Sequence, residues 1–449
     1  DFFIGKGIDK AKKEGNQKKA KRFLMTSILV DLSILGFFKY ADFLIGTVNT
    51  LTGAGIPLLG IPLPIGISFY TMQAMSYILD VYRETLKPDK NIGRLALYMA
   101  FFPSMMEGPI CRYNDDAVSL WEGRRSSVQN LVFGAERILY GVMKKMVIAD
   151  RLNIMIKTLY SGYADYDGGM MVVAAIAYTC QLYMEFSGTM DVVIGSAELF
   201  GIVLPENFKR PFFSKSISEF WTRWHITLGT WFRDYIFYPI SMSKPMKRLT
   251  SKARKKIGNH FGPLIAGSIA LFVVWLFNGL WHGAGWHYIC FGMYHFVLIA
   301  SANAVEPYTK KLLEKLHIRR EEGGYKCFRI VRTALLVCIG ELIFRAGSLR
   351  IAMRMLKKMF TDFNFRSFTD GTLLNLGMDK YDFLIVAVSV LIVLVISIAN
   401  EREICIRQKL AEKKVVVRWA VVYGLILFCI IFGAYGMNYT PVDPIYAGF

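Results

Sequence analysis

Three of the chain's six histidines, His282, His287 and His295, fall in one aromatic run, WLFNGLWHGAGWHYICFGMYH from Trp275 to His295. An imidazole has an unperturbed pKa of about 6.5, so near neutral pH it can take up and return a proton or carry an acyl group. His282 reads as the chemical member of the three. Gly283 and Gly285 follow it, small residues that let another backbone or a thin ligand approach closely. His287 and His295 read as packing or local hydrogen-bonding residues. A metal centre is the competing use of clustered histidines. The HxxxxH spacing of His282 and His287 differs from the i, i+4 pair of the HExxH zinc motif, and no Cys or acid stands beside it at ligand spacing. No metal is therefore expected.

A fourth histidine, His225, stands in PENFKRPFFSKSISEFWTRWHITLGTWFRDYIFYP, from Pro205 to Pro239, with Arg223, Arg233 and Asp234 interleaved among aromatic rings. That mixture is wrong for a lipid-facing span and right for a helix that lies at an interface or dips into the protein. Ser216 or Ser218 would cap it, with Glu219 in its first turn. Upstream, YTCQLYMEFSGTMDVVIG from Tyr178 sets Glu185 and Asp191 in an apolar stretch that reads as broken at Ser187 and Gly188. A charge at the bilayer centre costs roughly 2.5–3.5 kcal/mol, so neither acid faces lipid. Two readings stay open: each acid pairs with an Arg or a helix end to hold the bundle, or it orients a catalytic histidine and lines a substrate path.

The elements that must position these groups are membrane helices. Hydrophobic residues make up 54% of the 449 and aromatic residues 14%; the mean hydropathy is +0.35. That is too apolar for a soluble enzyme of this length. Runs of roughly 20 apolar residues, enough to cross a bilayer, recur between short polar connections. Approximate spans are Phe23–Gly46, Ile61–Val81, Leu95–Met106, Leu131–Ile148, Met170–Phe186, Met190–Val203, Gly262–Leu280, Trp286–Ala302, Phe328–Phe344, Phe383–Ala399 and Val416–Tyr435. Several are short or carry Pro and Gly, which suits broken or re-entrant helices.

The formal net charge of +19 raises nucleic acid as a partner, but its placement argues for a membrane instead. The basic clusters Lys6–Arg22, Lys244–Lys256, Lys310–Arg332 and Arg402–Arg418 lie between apolar runs, where they read as cytoplasmic and facing anionic lipid. The tail Gly436–Phe449 has no Lys or Arg and falls outside. The seven cysteines are scattered without Cys-x-x-Cys spacing, and packing is their expected role. The chain opens at Asp1 without a signal-peptide pattern, and further spans are expected upstream.

The stretches LPIGISFYTMQAMSYILDVYR, FFPSMMEGPICRY, ENFKRPFFSKSISEFWTRWHITLGTWFRDYIFYP and LWHGAGWHYICFGMYH resemble the membrane-bound O-acyltransferase (MBOAT) family. Within it they resemble the branch of alginate O-acetyltransferases and the D-alanyl transfer protein of teichoic acid synthesis. The resemblance implies an all-α polytopic bundle, a single membrane domain over residues 1–449, with re-entrant and interfacial helices around a central funnel. Residues 205–303 would be its catalytic segment. His282 matches the family's signature histidine in WHG, His225 its second histidine in RWH, and Asp191 the acid of an SGYSD pattern. Glu185 keeps an acid one methylene longer than the usual residue, while Thr189 and Met190 depart from the usual pair. Asn207, Trp224, Arg233, Asp234, Trp281 and Asn278 would support the site or line the substrate path.

The activity implied is transfer of acetyl groups from cytoplasmic acetyl-CoA, as co-substrate, across a bacterial cytoplasmic membrane. The final acceptor would be an extracellular or cell-wall polysaccharide, reached through an extracytoplasmic SGNH-type acyltransferase. D-alanyl transfer to teichoic acid is the alternative. A polysaccharide transporter or flippase built on broken helices is a third reading.

Overall fold

Apolar length decides which helices cross a bilayer, and in the computed structural model, which describes residues 1–122 and 126–435, five meet that demand: Gly168–Leu199, Lys244–His282, Trp286–Lys315, Lys380–Glu401 and Val415–Phe432. The described residues are otherwise joined by further helices and loops, with one isolated β-bridge between Phe208 and Trp224. The protein is an all-α, multi-pass membrane protein.

The five helices differ in what surrounds them. The most apolar parts of Lys380–Glu401 and Val415–Phe432 are only 11% and 6% buried, so among the described residues most of their side chains lie at the surface. The corresponding part of Gly168–Leu199 is 72% buried. That helix is the pillar of the main core, packed against Val128–Val142, Asp150–Ser161 and Gly323–Arg345.

The pillar corrects one expectation. The chain does not break at Ser187 and Gly188, and the expected spans Met170–Phe186 and Met190–Val203 are one continuous 32-residue helix. Gly188 serves packing. A Cβ there would lie 2.8 Å from the carbonyl oxygen of Gly141, and one on Gly195 would lie 2.8 Å from that of Gly134. Two glycines seven residues apart on each helix let the backbones touch, where bulk would force them apart.

Other boundaries shift for local reasons. The expected span Leu95–Met106 is two short helices, Ile92–Met99 and Phe102–Met105, separated just before Pro103. The expected span from Ile61 becomes helical only at Ile67, after Gly66 in the left-handed region (φ 76); prolines at 57, 62 and 64 precede it. Val128–Val142 continues through a π-helical stretch, Met143–Ala149, into Asp150–Ser161. The tail expected outside the membrane lies beyond the described residues.

Candidate active site

The Pro205–Pro239 segment is a series of short turns. Ser216 caps the helix Ile217–Arg223, accepting from the Glu219 amide at 3.1 Å, while the Glu219 side chain accepts from the Lys215 amide at 2.9 Å. Ser216 is thus the cap, and Glu219 stands in the first turn. The helix stops at Trp224, and His225 then takes a left-handed backbone conformation (φ 46), an arrangement that only surrounding structure can hold in a non-glycine residue. The reversal is pinned by the Phe208–Trp224 bridge and by the Ile226 amide donating to the Asn207 carbonyl at 3.0 Å. The next helix, Ile226–Phe232, starts directly after His225.

His225 is buried against Phe186 of the pillar, ring to ring at 4.8 Å. Its Nδ1 lies 3.2 Å from Asn207 Oδ1. Asn207, fully buried, also accepts from the Thr227 amide at 3.1 Å and the Thr227 hydroxyl at 3.0 Å. Beside it Trp224 sits in an aromatic nest of Tyr183, Phe186, Phe208, Phe212 and Phe220.

His282 arrives from another direction, as the last residue of Lys244–His282, which breaks at Gly258 (φ 86) so that His282 ends its second part. It is buried between the rings of Phe344, at 5.1 Å, and Phe291, at 5.8 Å. The rings that enclose the two histidines, Phe186 against His225 and Phe291 and Phe344 against His282, belong to one buried core, although the two residues lie far apart in the chain. Asn278, one turn before His282, and Trp281 are also buried. Trp281 packs on Phe69 at 5.7 Å in a neighbouring cluster with Trp231 and Phe232.

The two glycines after His282 do not leave open space. A Cβ on Gly283 would stand 2.3 Å from the Tyr288 ring, and one on Gly285 2.6 Å from the His287 ring. Their smallness admits the chain's own side chains, which close the turn over His282. His295 is fully buried; its Nδ1 accepts from the Trp221 indole at 3.3 Å, and its ring stacks on Trp275.

Each acid is paired with basic side chains. Asp191 pairs with Arg137 at 2.9 Å and Lys144 at 2.5 Å, and Arg137 also holds Glu206 at 2.6 Å. Glu185 pairs with Lys145 at 3.0 Å. Asp191 and Asn207 line a cavity of about 460 Å3 together with Arg137, Lys144, Arg210 and Arg407, the acids Glu136 and Glu206, and the apolar Ile396, Val421 and Leu425. Arg233 and Asp234 form a separate, half-exposed cluster, with Asp234 2.8 Å from Arg233 and 2.7 Å from Arg112. Burial pushes the Asp234 carboxyl up, but hydrogen bonds from Arg233 and Arg112 outweigh it and hold its pKa below the ordinary value. Among the described residues no group of three or more His, Cys, Asp or Glu is placed to hold a metal ion.

The arrangement missed by motif reading lies on the Gln17–Thr52 helix. Lys39 reaches the Trp281 carbonyl and Tyr40 the Leu280 carbonyl, at the end of the helix that carries His282. A lone Lys inside the apolar run ILGFFKYADFLIG is the signal that could have found it.

Comparison with known proteins gives these features a family. Residues 83–254 match the model of the MBOAT, membrane-bound O-acyltransferase, family. The chain is 37% identical over 348 residues to a probable alginate O-acetylase AlgI of Pseudomonas syringae pv. tomato, covering 77% of this chain and 61% of that protein. It is 34% identical over 390 residues to the probable alginate O-acetylase AlgI of Azotobacter vinelandii, covering 86% and 71%. A teichoic acid D-alanyltransferase of Bacillus subtilis matches at 30% over 252 residues, or 55% of this chain and 60% of that protein. The chain thus spans between three-fifths and about seven-tenths of the length of these relatives. With an all-α membrane bundle and a similarity running along most of its length, the chain belongs to the membrane-bound O-acyltransferase family.

Proposed function

We propose that the protein is an O-acetyltransferase of a bacterial cytoplasmic membrane, moving acetyl groups from cytoplasmic acetyl-CoA toward an extracellular or cell-wall polysaccharide. The observation that carries this reading is that His225 and His282, from separate parts of the chain, are both buried against rings of one aromatic core. A water-poor setting strengthens every dipole aimed at the reacting carbonyl.

In this reading residues 205–303 form the catalytic segment, and His282 acts as general base or transient acyl carrier. As base, its ring accepts the proton of the acceptor hydroxyl while that oxygen attacks the thioester carbon. The tetrahedral intermediate then expels the CoA thiolate, and the proton passes to that sulfur. His225, held by Asn207, assists proton movement. Asn278, Trp281 and Trp224 wall the path. Arg233 and Asp234 lie in their own cluster and support the fold around it, as do Asp191 and Glu185 through their Arg and Lys partners. The cavity beside Asn207, lined by both basic and apolar side chains, is the candidate route for an acyl donor with a long flexible arm.

The acceptor of the first transfer is a hydroxyl on an extracytoplasmic SGNH-type acyltransferase, which then modifies the polymer. The relatives named alginate O-acetylase support acetyl, because they match more of this chain at higher identity than the D-alanyltransferase does. The test is transfer in proteoliposomes of the full-length protein, offered labelled acetyl-CoA or a D-alanylated carrier protein. Label moving from acetyl-CoA alone supports the reading. Label from the carrier protein alone selects D-alanyl transfer, and movement of polysaccharide without covalent transfer selects a transporter.

A further inference from the structure

The carbonyls of the two residues before His282 are held by side chains of a helix 240 residues earlier in the chain. Tyr40 donates its hydroxyl to the Leu280 carbonyl. Lys39 Nζ donates to the Trp281 carbonyl at 2.5 Å and to the Ser68 hydroxyl at 3.1 Å, and it stands 5.4 Å from the centre of the Trp281 ring. Lys39 is 9% exposed.

Elementary helix chemistry explains the need. The last four carbonyls of a helix have no partner within it, and in a membrane interior no water replaces one. This helix ends at His282 because Gly283 is fully extended (φ 165, ψ 168). Its carbonyl end carries the negative pole of the helix dipole, which an ammonium meets favourably. A hydroxyl alone would satisfy a carbonyl at lower desolvation cost, since burying a lysine amine away from water is expensive. Here the amine sits on the end of the helix that carries His282.

We propose that Lys39 and Tyr40 are positioning residues of the acyl-transfer centre, locking the carbonyl end of the Lys244–His282 helix so that the His282 ring is held in its working direction. Neither residue touches the substrates in this account; both act through His282. The inference rests on His282 being the group that acts. It deepens that reading by tying the centre to the Gln17–Thr52 helix, which lies outside the segment matched by the family model.

The experiment measures kcat and KM for acetyl-CoA in proteoliposomes of the full-length protein carrying Lys39→Met, Lys39→Arg or Tyr40→Phe, with His282→Ala alongside and thermal melting of each. Lys39→Met is expected to lower kcat on the order of 100-fold, the effect of misplacing a reacting group by about an ångström. KM should stay within about twofold, because substrate contacts are untouched. Lys39→Arg should recover part of kcat, and Tyr40→Phe, which removes one hydroxyl, should lower it about tenfold. If Lys39→Met does not fold, Tyr40→Phe decides. Normal kcat in Lys39→Met or Tyr40→Phe, with only a lowered melting temperature, overturns the inference. Normal transfer by His282→Ala overturns the reading beneath it instead, so the two failures are distinct.

Discussion

Asn207 fixes the protonation pattern of His225. The Thr227 amide can only donate, so the Asn207 atom 3.1 Å from it is the carbonyl oxygen, and the side-chain nitrogen points to the Met190 sulfur at 3.3 Å. The same oxygen lies 3.2 Å from His225 Nδ1, which must therefore carry the ring hydrogen. Nε2 is left as the basic nitrogen. A buried amide thus selects which face of the imidazole exchanges a proton.

Asn207→Leu removes that acceptor and strips the Thr227 amide and hydroxyl of theirs as well. It should cost about 2–4 kcal/mol of stability and nearly all transfer. Asn207→Asp keeps an acceptor in place and should retain the fold and a larger share of activity. Melting curves and transfer rates of the two variants check this; equal activity in both would remove Asn207 from the account.

The glycine contact between the pillar and Val128–Val142 gives a prediction about folding alone. Gly188→Leu must push against the Gly141 carbonyl, which already lies 2.8 Å from an ideal Cβ, so the variant should not give a monodisperse, folded protein in detergent. Gly36→Leu meets nothing within 4 Å and should behave as wild type. Size-exclusion profiles decide between them.

The Asp234 cluster predicts a pH dependence. A carboxyl held below its ordinary value of 3.8 stabilises the fold above that value, and the contribution fades as pH falls through the lower folded value. Asp234→Asn should therefore lower stability at pH 7 by about 1 kcal/mol or less, given its exposure to solvent. The gap to wild type should shrink near pH 3. Melting both proteins across that range tests it, and a gap that widens in acid would contradict the assignment.

The Lys and Arg clusters predict the orientation. Lys244–Lys256 and Arg402–Arg418 should be cytoplasmic, and the tail from Tyr439 outside. Single cysteines placed in each region should react with impermeant thiol reagents in intact cells only at the tail. Labelling of the Lys244 region from outside would reverse the topology.

What the sequence made legible was whatever a local pattern carries. Apolar length announced the long helices, Ser216 and Glu219 announced a cap, and aromatic density around His225 announced a segment that leaves the lipid. Gly188 was misread because glycine breaks an isolated helix yet joins two helices in contact, and its partner Gly141 lies 47 residues away. Gly283 was misread for a similar reason: the space it leaves is filled by Tyr288, a neighbour whose ring direction no periodicity gives. Lys39 was passed over among the basic residues because its partner carbonyls come from a helix far along the chain.

The central claim is that His282 takes up the proton or the acyl group. Gly283 and Gly285 are filled by Tyr288 and His287, so His282→Ala removes a ring from between Phe344 and Phe291 and should cost some stability. It should still insert and purify as a folded bundle, because the helix-end contacts from Lys39 and Tyr40 go to the carbonyls of Trp281 and Leu280. The direct measurement is transfer of labelled acetyl from acetyl-CoA by wild type, His282→Ala, His225→Ala, His287→Ala and His295→Ala in reconstituted membranes supplied with the acceptor partner. The account predicts no detectable transfer by folded His282→Ala, a loss on the order of 100-fold in His225→Ala, and substantial activity in the other two. Near-normal transfer by folded His282→Ala would contradict it.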